Sequence, residues 1–213
     1  MKALVTGFEP FGGETVNPSL AAMRALAPRI GAVEIAVEPL PVVFGRSLDV
    51  LAGTIEEVGP QIVLCVGEAG GRAELSMERI AINVVDARIP DNEGRRPVDR
   101  PVVDGAPAAY FATLPIKAAV AALRVAGLPA AVSNTAGTFV CNHVFFGLMH
   151  LAATRYPGLR GGLLHVPFLP SQAARHAGAP SMALDEIVRA NGIVLSTAAA
   201  RRDDIGTSEG TIS

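Results

Sequence analysis

Only two cysteines, Cys65 and Cys141, occur in the 213 residues. That is too few for a disulfide framework, so both thiols are expected to be free in a reducing compartment. The opening MKALVTGF carries neither a long apolar segment nor a small-residue cleavage site, and no run approaches the ~20 apolar residues of a membrane span. The expectation is a cytoplasmic protein with no membrane partner. A basic face is missing too: the formal net charge is −2 and the 16 Arg and two Lys are scattered. A nucleic-acid binder needs such a face, so nucleic acid is not an expected partner. Two loops are rich in glycine, GFEPFGG and GEAGG, but neither contains G-x-G-x-x-G or G-x-x-x-x-G-K-[ST], and a nucleotide reading is weak. No repeat, low-complexity block or linker interrupts the chain, which reads as one domain over residues 1–200 with a tail, 201–213, expected to fray.

Half of the residues are apolar, enough for one sizeable core. Residues 2–5, 33–37, 62–66, 130–133 and 162–166 predict short apolar strands, and 75–85 a partly alternating strand-like run. Helices are expected at 18–26, 47–58, 113–126, 140–156 and 182–200; the first has Asn17 as cap and Pro18 at its first position. Residues 86–105, rich in proline, glycine and charge, predict a long loop or hairpin. The alternation predicts an α/β fold: a single-domain, open, twisted, mostly parallel sheet with helices on both faces. Ligands of such sheets bind outside the carboxyl ends of the strands. Residues 7–13, 67–71, 134–140 and 165–170 each follow or close a predicted strand and are expected to meet on that rim.

Residues 67–83, 133–146 and 161–170 hold one residue of each type that a cysteine hydrolase needs: a thiol, an imidazole and an acceptor that orients the imidazole. Cys141 starts a predicted helix, where free amides and the helix dipole favour a thiolate and offer an oxyanion donor. Ala136-Gly137 just before it predicts a tight turn. Cys65, inside LCVG, reads as a small buried residue. His165 closes an apolar strand and can point one ring nitrogen into the crevice. His143 lies two residues after Cys141, on another helix face; His150 is more than two turns on, and His176 falls in a loop. Glu78 sits in an apolar run, which argues for a paired, partly buried carboxylate, with Asp86 and Asp91 as competitors.

In order and over nearly the full length, ALVTGFEPFGGETVNPS, GEAGGRAELSMERIAIN, SNTAGTFVCNHVFF and GGLLHVPFLP closely resemble the pyroglutamyl peptidase I family, also called pyrrolidone carboxyl peptidases. The resemblance implies an exopeptidase that removes N-terminal pyroglutamate from peptides through a thioester acyl-enzyme. Cys141 would be the nucleophile, His165 the base and then the acid, and Glu78 the group that orients His165. No metal or cofactor is implied. Phe8, Phe11 and Phe139, with Val140, would wall the pocket. The backbone near Glu68 would bind the lactam, held in place by Asn17 with Arg88 close by, and the Glu68 side chain would turn to water or an arginine. The resemblance also implies a homotetramer. A five-membered lactam is neutral and flat, so apolar walls and a few backbone hydrogen bonds suffice to hold it. An N-terminal glutamine carries an ammonium that such a pocket would leave unpaired.

Three departures from the family's pattern stand out: Thr135 where a smaller Ser or Ala is usual, Glu68 where Gln is usual, and LPVVF at 40–44 where a hydroxyl-bearing residue is usual. Two rival readings are a catalytically silent peptide- or lactam-binding protein on the same scaffold and a nucleoside phosphorylase-like enzyme, since fold does not fix function.

Overall fold

Strands β1 (Lys2–Phe8), β4 (Ile62–Glu68) and β9 (Arg160–Val166) are buried almost end to end, as strands are when helices cover both faces of a sheet. The computed structural model describes residues 1–210. The other sheet members are β2 (Arg29–Ile30), β3 (Val33–Leu40), β5 (Leu75–Glu78) and β8 (Ala130–Ser133), and the seven strands run in the order β2-β3-β1-β4-β9-β5-β8. β3, β1, β4 and β9 are mutually parallel. β2 is antiparallel to β3; β5 is antiparallel to β9 and carries β8 parallel to itself.

Side-chain parity sorts the sheet into two cores. Ala3, Val5, Leu64, Val66, Met77 and Leu164 face the layer of α1 (Pro18–Arg24), α3 (Ile116–Val125) and α6 (Leu184–Ala200). Leu4, Val63, Cys65 and Leu163 face α2 (Arg46–Val58) and α4 (Val140–Thr154). Parity therefore puts Gly67, Glu78 and His165 on the α4 side and Glu68 on the other. Asn17 caps α1 by accepting from the Ser19 amide at 3.0 Å, and Gly59, in a left-handed conformation at φ 60°, closes α2.

The run 75–85 is not one strand. It breaks at Arg79, whose amide donates to Ser133 O while its carbonyl accepts from Ala112. β6 (Ile80–Ile82) then pairs antiparallel with β7 (Ala109–Phe111) in a separate two-stranded sheet. Residues 86–105 form an irregular loop with one antiparallel bridge, Val85 to Arg100. Two polar groups shape it: half-buried Asn83 accepts from the amides of Val102 and Val103, and buried Asp91 from those of Phe44, Glu93 and Arg95. A short α5 (Pro170–Ala173) is added after β9. The last helix begins at Leu184, where Glu186 accepts from the Ala183 amide.

The tail is expected to fray from residue 201, but through residue 210 it is tied down. α3 has no side-chain cap of its own, and Asp204 supplies one by accepting from the amides of Lys117 and Ala118, each at 2.9 Å. Glu209 pairs with Arg124 at 2.7 Å and its carbonyl accepts from Arg79. Residues 211–213 lie outside the described residues. No helix among the described residues is long and apolar enough to cross a membrane.

Candidate active site

The β5–β9 register sets Ser76 opposite His165. Glu78, two residues further on the same face, is a diagonal neighbour, at a separation of ~7–8 Å that a glutamate side chain can span. Its Oε1 lies 2.7 Å from His165 Nδ1, with both side chains buried. Oε1 also accepts from Arg72 Nη1 at 2.6 Å. Burial pushes the Glu78 carboxyl up, but the bond and charge of His165, a hydrogen bond from Ser133 and, last, the charge of Arg72 outweigh it, so the group sits below its ordinary value. An ionised carboxylate only accepts, so Nδ1 carries the ring hydrogen and Nε2 is left as the base.

Cys141 is the second residue of α4, reached through a turn in which Gly137 takes φ 74° and donates its amide to Thr135 Oγ1. Phe139 at the cap position offers no side-chain acceptor, which leaves the first amides of the helix aimed at the crevice. Asn142 fixes this end: its buried amide group accepts from Ile82 N and donates to the carbonyls of Ile82 and Val84. A Cβ built on Gly67 would stand 2.9 Å from Cys141 Sγ and 3.3 Å from His165 Nε2. Sulfur and ring thus border one small space that exists because residue 67 has no side chain. No hydrogen bond joins them across it, and the thiol is pushed up to about 12 by burial, reinforced by the Glu68 and Glu78 charges and opposed by Arg72. The side chain is nevertheless only half-buried and borders the open cleft. Cys65, fully buried mid-sheet, is also pushed up to about 12 by burial, against a hydrogen bond with Thr6.

Phe8, Phe11, Asn17, Glu68, Phe139 and Val140 all border a void beside Cys141, as does Val42 of the LPVVF segment. The void, at about 10 Å³, has room for about one water. Its outer wall is two half-buried rings, Phe11 and Phe139, with centroids 6.0 Å apart. Phe44 braces Phe139 edge-on at 5.4 Å. Phe8 and Val140, by contrast, are core residues with 2% and 1% exposure. A wider cleft of about 330 Å³ opens over Cys141 and His165, bordered by Arg72, exposed Arg88 and Phe168. Asn17 holds the 9–17 loop shut, donating to Glu9 O while accepting from Ser19.

The Glu68 side chain turns neither to water nor to an arginine. It is buried and accepts from Gln172 Nε2 at 2.9 Å, as the parity of β4 requires. Burial raises its pKa, aided by the Glu14 charge, while Gln172 and His176 pull it down. The competing carboxylates are elsewhere: Asp91 is consumed by three backbone amides, and exposed Asp86 joins Thr138 through its backbone. His143 accepts from Gly45 N and is lowered to about 4 by burial, against the Asp49 charge, a neutral structural ring. His150 meets Tyr110, and His176 meets Glu14. Sequence reasoning missed Arg72, Gly67, Asn142 and Gln172. The first three lie inside the quoted motifs, but their roles depend on strand pairing; Gln172 belongs to a four-residue helix with no periodic signal.

The family model for pyroglutamyl peptidase matches residues 1–201. A pyrrolidone-carboxylate peptidase of Erwinia tasmaniensis is 54% identical over 210 residues, 98% of either chain, and one of Klebsiella pneumoniae is 58% identical over 181 residues, 84% of either chain. The solved structure of pyroglutamyl peptidase I from Bacillus amyloliquefaciens matches with TM-score 0.94 at 50% identity, over 97% of this chain and 99% of that one. A mutant pyrrolidone carboxyl peptidase from Pyrococcus furiosus matches with TM-score 0.91 at 44% identity, over 94% and 99%. Agreement of this extent in sequence and in overall fold makes the chain a member of the pyroglutamyl peptidase family.

Proposed function

We propose that the protein hydrolyses the peptide bond after an N-terminal pyroglutamyl residue, with Cys141, His165 and Glu78 as its catalytic residues. The observation that carries this reading is the Glu78–His165 bond of 2.7 Å beside a space that Cys141 Sγ and the imidazole share. The lactam ring enters past Phe11 and Phe139, which must part because the resting void is smaller than the ring. Glu68 and its neighbours offer backbone groups to the ring, and Arg88 flanks the leaving part of the peptide.

Binding places the scissile carbonyl over Sγ. His165 Nε2 takes the thiol proton, and Sγ bonds to the carbonyl carbon. The oxyanion is met by the Cys141 amide at the start of α4. The imidazolium, oriented and balanced by Glu78, gives its proton to the departing amine, and the carbon–nitrogen bond breaks to leave a thioester. Water then loses a proton to Nε2 and attacks the thioester, releasing pyroglutamate and restoring the thiol. The same reading carries a homotetramer in the cytoplasm, to be checked by light scattering and by cell fractionation.

Release of a fluorogenic amine from its pyroglutamyl derivative, with the prolyl derivative as control and no added phosphate, tests the proposal. Wild type should cleave the first and not the second, and Cys141→Ala should retain less than ~1%, given the losses that follow removal of a nucleophile. A wild-type protein that binds the pyroglutamyl compound without turning it over would establish the silent binding protein instead. Turnover that requires phosphate would establish the phosphorylase-like enzyme.

A further inference from the structure

Glu78 has two partners but uses one oxygen for both. Oε1 accepts from His165 Nδ1 and from Arg72 Nη1, while Oε2 is buried with no partner. Arg72 follows β4 in the turn closed by its amide on Ala69 O, and its other terminal nitrogen, Nη2, donates to Thr135 O at 3.1 Å. Thr135 lies in the turn that delivers Cys141. One guanidinium therefore ties together the end of β4, the buried carboxylate and the run-in to α4. Its side chain is 31% exposed against 0% for Glu78, and it borders both the cleft over Cys141 and an outer cavity lined by Ser76 and Ser133. Water reaching the carboxylate from that outer cavity meets Arg72.

We propose that Arg72 is a positioning residue for the reaction: it holds Glu78 ionised and in the one rotamer that meets His165, and it sets the height of the turn before Cys141. The proposal rests on the assignment of Cys141, His165 and Glu78 made above. His165 gives the carboxylate a hydrogen bond and, while protonated, a charge. Around Glu78 the facing groups are His165 on β9, Ser133 on β8, Cys141 on α4 and Arg72. Ser133, whose hydroxyl also reaches Thr135 O, adds a hydrogen bond but no charge, whereas the guanidinium of Arg72 stays charged whatever the state of His165. Two donors on one oxygen also mean that a rotation of the carboxyl group breaks both bonds together. The planar fork matters as well, because an ammonium cannot span Oε1 and Thr135 O as a guanidinium does.

Steady-state kinetics on the fluorogenic pyroglutamyl substrate as a function of pH test the proposal. Arg72→Met should lower kcat by about 10- to 100-fold, the usual loss when a group that orients a first-line side chain is removed, with KM within about threefold. The acid limb of kcat/KM should move to higher pH, because Glu78 without its cation takes up a proton more readily. Arg72→Lys should restore the acid limb while recovering only part of kcat. In a Glu78→Gln background, Arg72→Met should cost little more, since the two act through one contact. The rate of Cys141 alkylation by iodoacetamide should fall in Arg72→Met as well, a readout that needs no substrate turnover. Additive losses in the double variant, or an unmoved acid limb with a changed KM, would show that Arg72 acts on substrate directly and overturn the proposal. Should Arg72→Met fail to fold in a thermal melt, Arg72→Lys decides alone: wild-type kcat in that variant overturns the clamp. Failure of the functional reading is separate, since it would leave the wild type inactive on the pyroglutamyl substrate.

Discussion

Gly67 and His165 stand side by side on adjacent parallel strands, and a methyl group on Gly67 would lie 2.9 Å from Cys141 Sγ and 3.1 Å from His165 Cδ2. Contacts that short move side chains rather than backbone, because Sγ and the ring can rotate away. Gly67→Ala is therefore expected to fold with nearly the wild-type melting temperature and to lose about 100-fold in kcat, the scale of loss for a misplacement near 1 Å. Steady-state kinetics beside a thermal melt check it. Wild-type turnover would mean that the space beside Gly67 is not where sulfur and ring cooperate.

The roles of the two buried partners should separate. His165→Ala is expected to cost as much as Cys141→Ala, because no other base reaches the sulfur. Glu78→Gln should cost less, since the amide oxygen can still accept from Nδ1 although its charge is gone. If Glu78→Gln matched wild type while Asp86→Asn or Asp91→Asn were inactive, the wrong carboxylate would have been chosen.

Two phenylalanines bordering the same void should respond differently. Phe8 ends β1 inside the core and has 2% exposure, so Phe8→Ala should cost about 3–5 kcal/mol of stability. Phe11 is half-buried and packs on Phe139 across the mouth. Phe11→Ala should leave the melting temperature almost unchanged and shift KM, by about 1–3 kcal/mol in binding if the ring contacts substrate. Urea titration and KM determination distinguish the pair; equal destabilisation of both variants would make Phe11 a core residue too.

Glu68 carries a pH signature. Burial, with the nearby Glu14 charge, raises its pKa above 4.5, so the folded state holds the Glu68 proton more tightly than the unfolded chain does. Its contribution to stability is present below pH 4.5 and is lost as pH rises through the folded value. Glu68→Gln keeps an acceptor for Gln172 Nε2 and removes the charge. It should raise the melting temperature at neutral pH, with the gain disappearing in acid, and change kcat/KM by less than about tenfold, roughly 1.4 kcal/mol. A gain that persisted below pH 4.5 would assign the stabilisation to packing. A swap of preference from pyroglutamyl to prolyl or glutaminyl substrates would mean that the carboxylate reads a free amino terminus.

The pieces of the site were legible where local chemistry decides them. Asn17-Pro18 announces a cap and a first helical turn, and Asn17 does cap α1. Cys141 follows a glycine turn and opens a helix, and an apolar strand ends near His165. What could not be read is the relation between strands. The alternation of strands and helices implied a mostly parallel sheet but not which strand is reversed; it is β5, which runs antiparallel to β9. Glu78 consequently reaches His165 along a diagonal rather than from a shared rim, and Arg72, four residues after Glu68, is drawn against it. The parity of β4 was available in LCVGE, since Val66 and Glu68 share one face and Cys65 and Gly67 the other. That alternation would have turned Glu68 away from Cys141 and left Gly67 beside it.

The anchoring of residues 201–210 bears on where this protein can be cut. The family model ends at residue 201, although the Erwinia tasmaniensis relative aligns over 210 residues, so a gene trimmed to the border of that model would lose residues that the structure uses. It would discard Asp204, and with it the acceptor that two α3 amides use, at a cost of about 1 kcal/mol for a lost helix cap. It would also free Arg79, the residue after Glu78, from its tie to Glu209. The border of the family model and the border set by folding thus fall at different residues in this chain, and an expression clone should respect the second.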